Sequence, residues 1–431
     1  MAFKFRKTRI ICTIGPVTDS FDMLKQMVEA GMDIVRINMS HGDHASHSKV
    51  IKAIKTLNKQ GHAVPVLLDT QGPEIRTGNL QRDLELKKGD VISVSVRADD
   101  VEHTSFHINY QDLIDAVKIG DKITVDNGLI NLEVLGKEDR AMKCRVIDGG
   151  TLGSKRHVNL PGIRVNLPSI TLKDKEDIIF GLQQGVDFIA LSFVREPKDI
   201  IELRELIRSE NGKAKVIAKI EDQEGVRNID AIIKEADGVM VARGDLGVEI
   251  NIEDLPNVQR MIVRKCHEQG KRVIVATHLL ESMIDNPIPT RAEVTDVANA
   301  IYEEVDAIML SGETTIGKYP VKCVETLDRI ARASECVPGL NFSELLVKND
   351  NKEFLAEAAV ELAESLRAAG IVVITRRGIM ANHVTNNRPF GVPIFAFTND
   401  GRTRRQLAIN RSVIAHKVTF SRDPEKTLET G

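Results

Sequence analysis

Lys219 and Glu221 stand two residues apart in AKIEDQEG, and the next apolar run ends in VARGDLG, which carries Arg243, Gly244 and Asp245. Side chains two apart on a strand point to the same face. Glu221 and Asp245, from neighbouring strands, could hold one Mg2+ through one or two direct bonds, leave positions for substrate oxygens and keep Lys219 beside the ion. A structural Lys-Glu pair is the plain alternative. Arg36, Asn38 and Ser40 in RINMSH share one face in the same way, and LLDTQGPEIRTG supplies Asp69 and Thr70, then Glu74 and Arg76. Asp, Thr, Asn and Ser oxygens are hard ligands, better suited to an alkali cation than to zinc or copper. A capped strand end or a turn-stabilising Asp explains each motif singly, but not their company.

Gly244 allows close backbone approach, and the amides that follow it can receive a small carboxylate. Thr277 in VATHLLESM, and Ser311 with Glu313 in MLSGETTIG, could pass a proton through ordered water; helix capping is the competing reading, and for Ser311 taken singly the stronger one. A cation site, two metal carboxylates, a lysine and three arginines gathered on one rim fit phosphoryl transfer. Neither a Walker loop nor a GxGxxG fingerprint is present.

The elements that must position these groups repeat. Gly31, Gly61, Gly185, Gly212 and Gly270 each follow a helix-period stretch and precede a short apolar strand with a polar end. Glycine closes helices in the left-handed conformation, and parallel strands joined through helices gather their polar ends on one rim. Eight such runs (RIICTIG, IVRINMS, VPVLLDT, FIALSF, KVIAKI, GVMVAR, RVIVAT, AIMLSGE) predict a (β/α)8 TIM barrel, with a doubly wound open sheet as the alternative. Between Gly72 and about His157 the pattern changes to strict alternation, with Asp126, Asn127 and Gly128 as a hairpin turn. That predicts a small inserted β-barrel placed as a lid. After Pro338 a helical segment and the strands IVVITRRG, VPIFAFT and VIAHKVTF predict a separate C-terminal α/β domain.

With 431 residues, 42% of them hydrophobic, the chain has enough core for two or three domains. A net charge of -3 and 4% aromatic residues argue against nucleic-acid binding. Five cysteines without Cys-x-x-Cys spacing favour a reduced compartment over a disulfide framework or a zinc knuckle. The opening MAFKFRKTR reads as the approach to a first strand rather than a transit peptide, and no apolar run is long enough to cross a membrane.

The motifs RINMSHG, LLDTQGPEIRTG, GSKRHVNLPG, AKIEDQEGV, MVARGDLG, PTRAEVTDVANA and IMLSGET, in this order, closely resemble those of pyruvate kinases from Thr8 to about Arg332, and more weakly beyond. The resemblance implies a cytoplasmic glycolytic phosphotransferase that moves the phosphoryl group of phosphoenolpyruvate to ADP. It implies barrel segments at 1–71 and 158–336, a lid at 72–157 and a C-terminal domain at 337–431. That last domain is expected to be incomplete, the family usually continuing for several more tens of residues, so the chain is either a fragment or abbreviated there.

Carried over residue by residue, Glu221 and Asp245 would bind Mg2+, and Asn38, Ser40, Asp69 and Thr70 would hold K+. Lys219 would neutralise the phosphoryl group in flight, with Arg36 and Arg76 on the phosphates. Ala242, Arg243, Gly244 and Thr277 would hold phosphoenolpyruvate, and Asn38, His41, Arg76 and Lys155 lie where nucleotide is contacted. The enolate carbon would receive its proton from the Thr277 side, with Ser311 and Glu313 as a relay. Glu74 resembles the K+-requiring branch, whereas a Lys there would make the ion unnecessary. Gln71, His278 and Arg156 depart from the family pattern. A phosphorylated effector at ITRRGIMANH, where Arg376 and Arg377 replace the usual hydroxyls, and a homotetramer built on a complete C-terminal domain are further expectations. The rivals are a barrel lyase using Lys219 as a Schiff base and a noncatalytic binding paralogue.

Overall fold

The computed structural model describes residues 5–97, 105–163 and 165–421. Eight parallel strands close into a barrel: β1 (Arg9–Thr13), β2 (Ile34–Asn38), β3 (Val66–Asp69), β4 (Phe188–Leu191), β5 (Lys215–Ile220), β6 (Gly238–Ala242), β7 (Arg272–Ala276) and β8 (Ala307–Leu310). Each pairs with the next, and β8 returns to β1 with Arg9 opposite Ala307. The open-sheet alternative is therefore excluded.

Strand alternation makes two cores. Inward residues such as Ile11, Ile34, Leu67, Phe188, Ile217, Met240 and Ile274 fill the lumen, while their neighbours Ile10, Val35, Leu68, Ile189, Val216 and Val273 pack against the surrounding helices. This is why the strands read as continuous apolar runs. Helices start where reciprocal side-chain caps allow it: Asp43 with Ser46, Thr171 with Asp174, and Thr290 with Glu293. Such caps contribute about 1 kcal/mol each. One of the predicted glycine closures differs. Asn211, at φ 54°, takes the left-handed position, and Gly212 is needed for room, since a Cβ there would lie 2.7 Å from Leu182 Cδ2.

The insertion leaves after β3 and returns through a neck in which Arg76 bridges His157, Thr77 N donates to Arg156 O at 2.8 Å and Val158 N donates to Ile75 O at 2.8 Å. Its six-stranded sheet curls into a half-barrel over its own apolar core. Asp126 and Asn127, both at positive φ, turn the predicted hairpin between Lys122–Val125 and Ile130–Lys137.

The C-terminal unit has a parallel sheet of β9 (Ile371–Ile374), β10 (Ile394–Thr398) and β11 (Val413–Lys417), with helices at Asn351–Ser365 and Ile379–Asn386. It docks under the barrel, and its Ile409, 1% exposed, joins the lumen core from below. No helix among the described residues is long and apolar enough to cross a membrane.

Candidate active site

Register carries the predicted groups to one end of the barrel. Asn38 lies opposite Asp69, and Arg36 opposite Thr13. The Arg36 guanidinium donates from Nε to Asp69 Oδ2 at 2.6 Å and from Nη1 to Thr13 Oγ1 at 2.9 Å. Lys219 Nζ lies 3.0 Å from Asp69 Oδ1 and 3.0 Å from Glu221 Oε1. Cation and anion thus alternate through Arg36, Asp69, Lys219 and Glu221 across β2, β3 and β5.

Ser192, immediately after β4, closes the gap between β3 and β5. Its Oγ accepts from Lys219 Nζ at 2.6 Å and donates to Thr70 O at 2.7 Å, while its N donates to Thr70 Oγ1 at 3.0 Å. Sequence reasoning missed it; its one signal was its place at the polar end of FIALSF. Asp174, also missed, accepts from the amides of Gln71 and Gly72 at 3.0 and 3.1 Å and fixes the chain where it departs for the insertion.

Burial works against the Lys219 ammonium, yet Asp69 and Glu221 outweigh it and its pKa is raised. Against the same burial, Arg36 and Lys219 hold the Asp69 carboxyl below its ordinary value. Glu221 differs: burial pushes it up to about 7, with Lys219 pulling it back and Asp245 adding to the rise. Asp245, its side chain 38% exposed, is raised in the same direction by burial, and its carboxyl lies within hydrogen-bonding reach of Glu221. Two carboxyls pressed together beside a lysine suit a divalent ion. Asp69 Oδ1, buried and 3.0 Å from Lys219 Nζ without a hydrogen bond, keeps lone-pair capacity for another cation.

Arg243 does not reach into the cleft. Its guanidinium donates to Ala276 O at 3.1 Å and Thr277 O at 2.6 Å, with Asp296 behind it at 2.7 Å. It clamps a loop in which Thr277 and His278 both adopt positive φ, 73° and 54°, a conformation that costs on the order of 1 kcal/mol or more per residue. Gly244 lies against this loop, and a Cβ there would stand 2.9 Å from Thr277 Cγ2. Ala242 and Gly244 bracket the turn from β6 into the short helix Arg243–Glu249.

The Ser311 side chain makes no capping bond. Instead Glu313, 1% exposed and raised by burial, accepts from the amides of Ser311 at 2.8 Å and Leu280 at 3.0 Å. Asn38 Oδ1 accepts from Ser40 N at 3.1 Å. Arg76 pairs with Glu74 at 2.7 Å and donates to Lys155 O at 2.9 Å. His41 and Lys155 are exposed at the edges of the rim.

The chain matches the family models described as "Pyruvate kinase, barrel domain" over residues 5–324 and "Pyruvate kinase, alpha/beta domain" over residues 353–431. A pyruvate kinase of Clostridium perfringens is 43% identical over 437 residues, covering 98% of this chain and 91% of the relative. One from Geobacillus stearothermophilus is 45% identical over 94% of this chain and 70% of its own length. The chloroplastic pyruvate kinase isozyme G of Nicotiana tabacum is 43% identical over 98% of this chain and 76% of its own length. With these matches over nearly its whole length and a barrel whose rim gathers the family's motifs, the chain belongs to the pyruvate kinase family, the phosphotransferases that make pyruvate and ATP.

Proposed function

We propose that the alternating chain Arg36, Asp69, Lys219 and Glu221 is the phosphoryl-transfer centre, acting on phosphoenolpyruvate and ADP. The buried Lys219 ammonium between two carboxylates is the observation that carries this reading. Phosphoryl transfer depends on positioning and charge neutralisation rather than on a covalent nucleophile. Lys219 neutralises the phosphoryl group in flight, and Arg36 and Arg76 hold phosphate oxygens. The backbone around Ala242, Arg243 and Gly244 receives the carboxylate of phosphoenolpyruvate, with the Arg243 side chain positioning Thr277. The proton for the enolate carbon enters from the Thr277 side by way of Ser311, and Glu313 holds the Ser311 backbone in place. Asn38, His41, Arg76 and Lys155 meet the nucleotide. The insertion, hinged at its neck, excludes water from the transferring group.

The family generally uses divalent and monovalent cations. Here Glu221 and Asp245 would hold Mg2+, and Asn38, Ser40, Asp69 and Thr70 would hold K+. The divalent ion, when bound, supplies Lewis-acid neutralisation of phosphoryl oxygens. Glu74, an acid paired to Arg76 rather than a lysine, supports K+ dependence, and leaving out every alkali ion is expected to lower turnover.

The lyase reading needs an unprotonated amine at Lys219; the raised pKa argues against it. The exposed Phe354, Leu355 and Leu362 of helix Asn351–Ser365 support assembly, as a homotetramer, through the C-terminal unit. The exposed Arg376 and Arg377 are the groups to meet a phosphorylated effector. Free cysteines, four of them buried, support a cytoplasmic setting. We divide the chain at 71/72, 157/158 and 336/337, close to the neck and to the start of the C-terminal unit, with Val158–Asn159 still pairing into the insertion sheet. A coupled assay for pyruvate from phosphoenolpyruvate and ADP, with Mg2+ and K+ supplied, tests the assignment: Lys219→Met lowers turnover about 10^3-fold, and near-normal turnover in that variant overturns it.

A further inference from the structure

At the other end of the same strands, between the barrel floor and the C-terminal unit, lies a cavity of about 200 Å3. Lys215, Lys271 and Arg272 line it from the barrel side, together with Asp237, and Asn382 and Asn410 close it from below. We propose that this cavity binds a small tetrahedral dianion, a phosphate or a phosphate monoester, received by Lys215, Arg272 and Asn382.

Charge is the first reason. Three cations line the cavity against one acid: Lys271 donates to the carbonyls of Lys234 and Ala236 at 3.0 and 2.6 Å, the Nη atoms of Arg272 donate to Asp306, Gly270 O and Asn386 Oδ1, and Asp237 Oδ2 accepts from Arg204 at 2.8 Å and from Val216 N at 2.9 Å, so that no acid is left for Lys215. Behind Arg272 the surplus continues: Asp306 takes Arg272 at 3.1 Å and both Nη atoms of Arg388 at 2.7 and 2.8 Å, so two buried guanidiniums share one carboxylate. Unused donors are the second reason. The Lys215 ammonium has neither an acceptor nor an ion pair among the described residues, and burial depresses its pKa. Asn382 spends its carbonyl oxygen on Asn410 Nδ2 at 2.8 Å, which leaves its own amide hydrogens without an acceptor among the described residues. A buried charge without a partner is costly, and a dianion would satisfy both donors at once. The size is the third. At roughly 30 Å3 per water, the cavity holds several waters, enough for a phosphate with a few carbons attached.

The position gives such an anion leverage. Lys215, Ile217 and Lys219 share the inward face of β5, so the cavity lies about 13 Å below Lys219 by strand rise, with lumen side chains between. An anion there also joins β5 and β7 to Asn382 of the C-terminal unit. Neither Arg376 nor Arg377 lines the cavity.

The test is phosphate binding by the intact enzyme, followed by calorimetry with chloride at matched ionic strength as the control, in wild type, Lys215→Met, Lys215→Arg and Lys219→Met. The expected result is one phosphate site that survives Lys219→Met, is weakened roughly tenfold or more by Lys215→Met, as for loss of a charge-assisted hydrogen bond, and is largely restored in Lys215→Arg. Phosphate binding unchanged by Lys215→Met overturns the proposal. Crystals of the wild-type enzyme soaked in selenate provide an arm independent of any variant: anomalous density between Lys215 and Arg272 supports the site, and density at the rim alone, or nowhere, overturns it. Tighter binding of glycerol 3-phosphate than of inorganic phosphate assigns the occupant to the monoesters, and equal affinity assigns it to free phosphate. Because the readout is binding at the floor, its outcome is independent of the catalytic assignment at the rim.

Discussion

The barrel carries a buried charge cluster at each end of the same strands, and the two are built to opposite ends. At the floor, Asp306 is enclosed by Arg388 and Arg272, and against its burial these guanidiniums hold its carboxyl far below the ordinary range. At the rim, Glu221 and Asp245 are pushed up, and Asp69 Oδ1 is left without a hydrogen bond. A carboxylate enclosed by guanidiniums stabilises one arrangement of chain; carboxyls kept together above their ordinary pKa store a demand that a cation can meet. Conservation of charge number is therefore no guide to role. What separates the Asp306 cluster from the Glu221–Asp245 pair is whether each carboxyl is enclosed by cations of the protein itself.

The largest effect expected is at the rim. Lys219→Met should lower kcat about 10^3-fold, as for removal of comparable electrostatic groups, while the unfolding midpoint moves less than for Asp306→Asn. Asp306→Asn should do the reverse. Leaving two guanidiniums buried without their carboxylate costs about 3–5 kcal/mol, read by denaturant unfolding, with kcat per folded molecule largely kept. A stable Asp306→Asn protein would break the comparison.

On the rim side, where the insertion meets the barrel, stands Glu249, which burial raises to about 7 and which accepts from Asn159 Nδ2, on the last strand of the insertion sheet, at 3.0 Å. Its folded pKa lies above its ordinary 4.5. Its contribution to stability is therefore complete below pH 4.5 and is lost as pH rises through about 7, by on the order of 3 kcal/mol. Glu249→Gln should flatten the dependence of the unfolding free energy over that window; an unchanged profile would contradict the assignment. Ser192→Ala is the smallest expected change. Loss of the hydroxyl between Lys219 and Thr70 should lower kcat about tenfold through misplacement of the ammonium, with KM for ADP unaffected.

The barrel was legible because each strand announced itself twice, by a Val/Ile run and by the polar residue that ended it. The rim residues Arg36, Asp69, Lys219 and Glu221 were legible because period two along a strand fixes which side chains share a face. Partners across strands were not. Nothing local in VARGDLG says that Arg243 turns back to grip Ala276 and Thr277, and Ser311 looked like a helix cap until Glu313 was seen holding its amide. Asn211 took the left-handed position expected of Gly212 because Leu182, remote in sequence, decided where a side chain had room. The floor cavity escaped notice for the same reason: Lys215 and Asn382 become neighbours only when the C-terminal unit docks.

Ile409 makes that docking more than an appendage. A barrel excised at the border between the two family models would lack its stopper, and water would enter the column of side chains on which Lys219 rests. The C-terminal unit is in this sense the bottom wall of the catalytic vessel, and a truncated enzyme should leak stability through its base while every catalytic group remains in the chain.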